Sequence, residues 1–143
     1  MAAPAQAHTH TGPYQTIPHN ASPSLRFLAA FLAAVDSSSP AALRPFLAPA
    51  ASFVTNGGDA VPAETVLGMM EMRTRRLKAF RHKLKAAWDV EVAGVRGLRM
   101  LLYESVSVTV FIEYPEERCV EVAEFSTVEL VAVDGDGVAR VEG

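Results

Sequence analysis

Three ionisable residues, His82, Glu104 and Glu124, each interrupt the apolar half of an alternating run. His82 shares its parity with Phe80, Leu84, Ala86, Trp88 and Val90. Glu104 shares its own with Met100, Leu102, Val106, Val108 and Val110, and Glu124 with Val120, Val122, Val128 and Leu130. Side chains alternate across a strand, so residues of one parity line one face. An unpaired ionised group on a buried face costs several kcal/mol, or else shifts its pKa and neutralises. One such group on each of three neighbouring strands therefore predicts a polar pocket beneath whatever covers the sheet. An imidazole beside carboxylates is the equipment for acid/base chemistry, in which one group takes a proton and another returns it. Two structural readings stand beside this one. His82 and a glutamate can form a pair that only holds strands in register, and either acid can sit at a wet edge. A bulge in any of these strands would exchange the faces beyond it.

Around that trio, Trp88, Met69, Met70 and Phe80 are the candidate apolar walls of a substrate site. Trp88 reads equally well as core, and the Met69, Met70 and Met72 cluster as adaptable packing. Other chemistries lack their parts. His8-Thr9-His10 has no neighbouring acid or thiol to complete a metal shell, so no metal or cofactor is expected. Cys119 is the single cysteine and forms no internal disulfide. No nucleophile elbow, P-loop or dinucleotide fingerprint occurs.

The elements that must hold these residues divide the chain in two. Residues 1–21 show no period and read as a flexible arm, with Tyr14 and Ile17 able to fold back over a pocket or reach a partner subunit. Residues 22–143 read as one domain. Ser22-Pro23 and Ser39-Pro40 are helix starts, with a serine N-cap and proline in the first turn. Pro45 fits poorly inside the second helix, expected to reach about Leu47. A short strand over 51–55, a turn at 56–59 and a third helix over 62–77 follow. Beyond Leu77 the period changes to two, giving long strands over 80–92, 100–113 and 119–133. Turns are expected at 94–97, 115–118 and 134–137, with a short last strand over 138–142. Helices followed by a strand meander predict an α+β fold with the helices on one face of a curved antiparallel sheet.

Composition sets the outer limits. A chain of 143 residues that is half apolar and one-fifth charged is long enough for one sizeable core. Its net charge of −3 argues against nucleic-acid binding. Seven of the 13 basic residues lie between Arg73 and Lys85, but ten of the 16 acids lie from Glu104 onward. Arg81, Lys83 and Lys85 can thus pair across strands with Glu113, Glu121 and Glu129. The first 21 residues contain no Lys or Arg, and the longest apolar run is too short to span about 30 Å of hydrocarbon, so a cytoplasmic location without membrane attachment is expected.

The order of elements, with Leu25-x-x-Leu28, Phe46-Leu47, Ser52-Phe53-Val54, Phe80-Arg81-His82, Ala87-Trp88-Asp89-Val90-Glu91, Ala123-Glu124-Phe125 and Asp136-Gly137-Val138, resembles the nuclear transport factor 2-like superfamily. Within it, the SnoaL-like proteins of fungal biosynthetic pathways look most similar. The resemblance implies three N-terminal helices packed on a cone-shaped barrel, a deep cavity and a homodimer through the outer sheet face. It also implies a cofactor-free isomerase, cyclase or dehydratase of an apolar polyketide- or terpenoid-like substrate in secondary metabolite biosynthesis, or a non-catalytic binding or dimerisation module of the same fold. His82, Glu104 and Glu124 would face that cavity. The sequence departs from the scytalone-dehydratase pattern, which needs more than one cavity histidine, because only His82 lies in the expected folded region.

Overall fold

The computed structural model describes residues 7–48, 51–54, 57–91, 98–112, 118–132 and 139–142. Strand β1 (Ala7–Thr11) precedes helices α1 (Pro23–Asp36) and α2 (Pro40–Leu43), and the short strands β2 (Ser52–Phe53) and β3 (Val61–Pro62) lead into α3 (Ala63–Thr74). Four strands follow: β4 (Leu77–Glu91), β5 (Leu98–Phe111), β6 (Arg118–Ala132) and β7 (Ala139–Glu142). The turns expected at 94–97 and 134–137, and 115–117 of the third, lie outside the described residues.

The helix starts follow the serines. Ser22 Oγ accepts from the Leu25 amide and Ser39 Oγ from the Ala42 amide, each with proline in the first turn. Pro45 has its reason as well: after Leu43 the backbone tightens into a 3₁₀ turn over Arg44–Phe46, and α2 never reaches it. Along α1, Leu25, Phe27, Leu28, Phe31 and Leu32 are buried against the sheet. Phe27 stacks on Phe31 with ring centroids 5.7 Å apart, and Phe46 meets both edge-on. Ala63, Leu67 and Met70 form the narrower buried stripe of α3.

The large sheet is antiparallel throughout, in the order β1-β4-β5-β6-β7, and β2 and β3 form a separate pair. This corrects the expected cone-shaped barrel. Closure requires the outermost strands to pair with each other, and here β1 and β7 remain the two edges of an open, uncurled sheet. The nuclear transport factor 2-like, SnoaL-like barrel is therefore not the fold, and α+β with an antiparallel sheet is what survives of that expectation.

Face assignment along β4 turns on one residue. Leu84 lies opposite Ser105 but Ala86 lies opposite Glu104, which leaves Lys85 as an extra residue in β4. Before this bulge the even residues Phe80, His82 and Leu84 face the helices; after it the odd residues Ala87 and Asp89 do, both with 0% exposure. Asp89 is held there by Ser22 Oγ and Arg99 Nε, each at 2.7 Å. The same shift carries Trp88 to the opposite face, alongside Leu102. Strand β5 turns its odd residues Leu101, Tyr103, Ser105 and Ser107 inward, all buried. Among the described residues, no helix is long and apolar enough to cross a membrane.

Candidate functional site

The sheet registers three rows of inward side chains at one end of the strands. Phe80, Thr109 and Val120 form the first row, His82, Ser107 and Val122 the second, and Leu84, Ser105 and Glu124 the third. His82 thus has Ser107 directly beside it and Glu124 on the diagonal. Helix α1 delivers Asp36, its last residue, above this point. The His82 amide donates to Asp36 Oδ2 at 3.0 Å, and the His82 ring nitrogen Nδ1 lies 2.7 Å from Asp36 Oδ1. A carboxylate only accepts, so Nδ1 carries a proton, and Nε2 points away from Asp36. Nε2 lies 3.7 Å from Glu124 Oε2, while the Ser107 hydroxyl donates to Glu124 Oε1 at 2.9 Å.

Burial grades this line of groups. The side chains of His82 and Asp36 are 9% and 11% exposed and that of Glu124 is 38% exposed, so the line runs from a buried pair to a carboxylate open to solvent. Tyr14 supplies the third hydrogen bond to Asp36, its hydroxyl donating to Oδ2 at 2.7 Å. Burial, and then the bond and charge of Asp36, push the Tyr14 phenol up to about 12. Tyr103 lies deeper on β5. Its phenol is also pushed up, first by burial, against a hydrogen bond with Ser126 that lowers it and the charges of Glu124 and Asp36 that raise it further.

Arg73, in the last turn of α3, reaches the group from above. Its guanidinium carbon lies 4.0 Å from the centroid of the Phe80 ring, and that ring meets the His82 imidazole edge-on at 5.1 Å. Burial pulls the Arg73 pKa down while the Asp36 charge pulls it up.

The structure therefore brings together His82, Glu124 and Phe80 of the residues expected from sequence, and it sends others elsewhere. Glu104 is exposed on the far face, because the inward parity of β5 is odd. Trp88 is carried to the same far face by the Lys85 bulge. Met69 is 61% exposed on the outside of α3, and Met70 is 5% exposed within the core. The sequence reading missed Asp36, Tyr14, Arg73 and Ser107. Asp36 had a legible signal: an acid closing a helix opposes the macrodipole, and a side chain in that unfavourable place invites a local explanation. Tyr14 and Arg73 had none, since only the tertiary fold brings them here.

A cleft of about 400 Å³ opens elsewhere, between α2, α3 and the β2–β3 pair, lined by Leu47, Ala51, Pro62 and Leu67 with Arg44 and Glu64 at its rim. It contains none of the groups around His82, so size and chemistry point to different places. The chemistry is the better guide, because Arg44 and Glu64 simply pair with each other on an exposed surface. Among the described residues, no group of three or more His, Cys, Asp or Glu side chains has the arrangement to hold a metal ion. Compared with protein-family models, curated proteins and solved structures, the chain matches none.

Proposed function

We propose that this chain is a cofactor-independent proton-transfer enzyme that rearranges an apolar small molecule, in the manner of an isomerase, cyclase or dehydratase. One observation carries the reading. Asp36 fixes the proton of His82 on Nδ1 and leaves Nε2 as a base, 3.7 Å from a carboxylate that Ser107 holds in place. A separation of 3.7 Å is too long for a hydrogen bond. A substrate C–H or O–H is suited to lie at Nε2 beside Glu124. In the isomerase case His82 takes a proton from the carbon between a carbonyl and a carbon–carbon double bond, and the C–H electron pair passes into a dienolate whose far carbon can accept a proton as the double bond moves. The imidazolium, or Glu124 after taking that proton, returns it at a second carbon. Nothing is gained or lost overall, so no co-reactant is required.

The polyketide- or terpenoid-like substrate implied by the resemblance depended on a barrel cavity, and the open sheet removes that support. What the site offers instead is an apolar floor. Val120 and Val122 share the face of Glu124 and are 45% and 48% exposed, beside Phe80.

The test is incubation of the protein with a metabolite extract from its source in D₂O, followed by chromatography and mass spectrometry. The expected result is a compound converted to an isomer carrying deuterium, or to a product lighter by water, with His82→Gln abolishing the conversion. A metabolite that is retained but never converted, or conversion unaffected by His82→Gln, overturns the enzymatic reading.

A further inference from the structure

The proposed reaction leaves one cation of the site unexplained. Arg73 Nε is buried, and it has no hydrogen-bond partner among the described residues. Buried polar atoms are nearly always bonded, and an exception calls for a physical explanation. The nearby carboxylate does not provide it. Asp36 commits Oδ1 to His82 Nδ1 and Oδ2 to both Tyr14 and the His82 amide, so it acts on Arg73 as a charge at a distance. The guanidinium carbon instead lies 4.0 Å from the centre of the Phe80 ring, which also meets the imidazole edge-on. A cation–π contact of this kind holds the group without using its donors.

We infer that Arg73 is the binding group for a carboxylate on the substrate, so that the molecule acted on is an apolar acid rather than a neutral hydrocarbon-like compound. This inference rests on the site proposed above and names its substrate class. The geometry supplies both ends. The apolar body lies over Val122 and Phe80, the carboxylate takes the guanidinium, and the reacting carbon lies at His82 Nε2, with Phe80 in contact with both the cation and the base. Charge favours the same assignment. Asp36 and Glu124 make the rest of the site acidic, so an anion entering it needs a specific cation, and Arg73 stands within reach of the Asp36 charge and against Phe80. A charge-assisted, two-pronged bond is also the strong way to orient a small ligand.

The experiment is direct binding, which does not depend on turnover. Phenylacetate, cinnamate and octanoate, each alongside its neutral amide, are titrated into ¹⁵N-labelled full-length chain and followed by NMR at the Arg73 Nε–H and the backbone amides of Phe80 and His82. At least one acid is expected to bind saturably, to shift the Arg73 resonance, and to bind about tenfold or more tightly than its amide. Arg73→Leu is expected to abolish that difference, Arg73→Lys to retain part of it, and His82→Gln to leave it intact. Binding of none of the acids, equal binding of acid and amide, or an acid preference unchanged in Arg73→Leu overturns the inference. The acid–amide comparison on the unaltered chain stands even if a variant folds poorly. Since His82→Gln removes the base but not the cation, failure of the proton-transfer reading and failure of the carboxylate site give different results.

Discussion

At the residue scale, the site depends on one carboxylate with three donors on it. Asp36 accepts from Tyr14, from the His82 backbone and from the His82 ring. Asp36→Asn offers an amide that can donate to Nδ1 and so permits the wrong tautomer. Once a substrate is in hand, its conversion rate should fall about 10²–10⁴-fold, the usual contribution of a positioned acid/base group. Asp36→Ala removes the acceptor altogether and leaves buried donors unsatisfied, which should cost about 3 kcal/mol in urea-induced unfolding. Tyr14 gives a pH signature. Its folded-state pKa of about 12 lies above the ordinary 10.0, so the fold favours the neutral phenol. The resulting stability is present in full below pH 10 and is lost as the pH rises through about 12. In Asp36→Asn the charge contribution vanishes, and phenolate absorbance should show Tyr14 ionising closer to 10 while burial retains part of the shift. At this scale the sequence was half legible. His82 and Glu124 were recognisable because each breaks an apolar run, whereas Tyr14 and Arg73 are ordinary residues until folding brings them to the site.

At the scale of elements, the decisive feature is the extra residue Lys85 in β4. It allows one strand to present His82 to the helices at one end and Asp89 to the cap of α1 at the other, although the two differ in parity. The first two helix starts and the succession of three long strands were legible, since caps and periodicity are local, but the junction between helix and sheet was not: α3 ends at Thr74 and β4 already begins at Leu77. The inward parity of β5 was not. Its apolar residues Met100, Leu102, Val106 and Val108 lie on the face away from the helices, while Tyr103, Ser105 and Ser107 face inward. The rule of apolar inside, polar outside thus points the wrong way on this strand, and Glu104 was misassigned with it. Deleting Lys85 should remove the bulge while Ala86 stays opposite Glu104, so that Leu84, Ala87 and Asp89 remain inward and Trp88 remains on the far face. The fold should therefore survive, with a loss of about 0.5–3 kcal/mol in urea-induced unfolding and retained near-ultraviolet dichroism.

At the scale of the whole molecule, the sheet has two edges rather than a seam, and the N-terminal segment occupies one of them. Strand β1 pairs residues 7–11 with residues 86–90 of β4, and the 3₁₀ turn after it places the buried Tyr14 against α1. No period in the first 21 residues announced this, because an edge strand of mostly exposed polar residues has no buried face to record in its pattern. Removing residues 1–17 should lower stability by about 3–5 kcal/mol, the scale of losing a buried aromatic, and leave β4 as an unprotected edge. Urea titration measures the first effect, and light scattering during refolding should show the second as increased association. The barrel expectation failed at this same scale, since closure depends on which strands meet last and no local pattern encodes it. The carboxylate shared by Tyr14 and His82 ties the two ends of this description together. Attachment of the arm through Tyr14 and the placing of the imidazole draw on the two oxygens of one carboxylate, so each must bias the other, by equal amounts in free energy. Amide hydrogen exchange in residues 7–11 would then act as a remote gauge of ligands that come and go at His82, a side chain the arm meets only through Asp36.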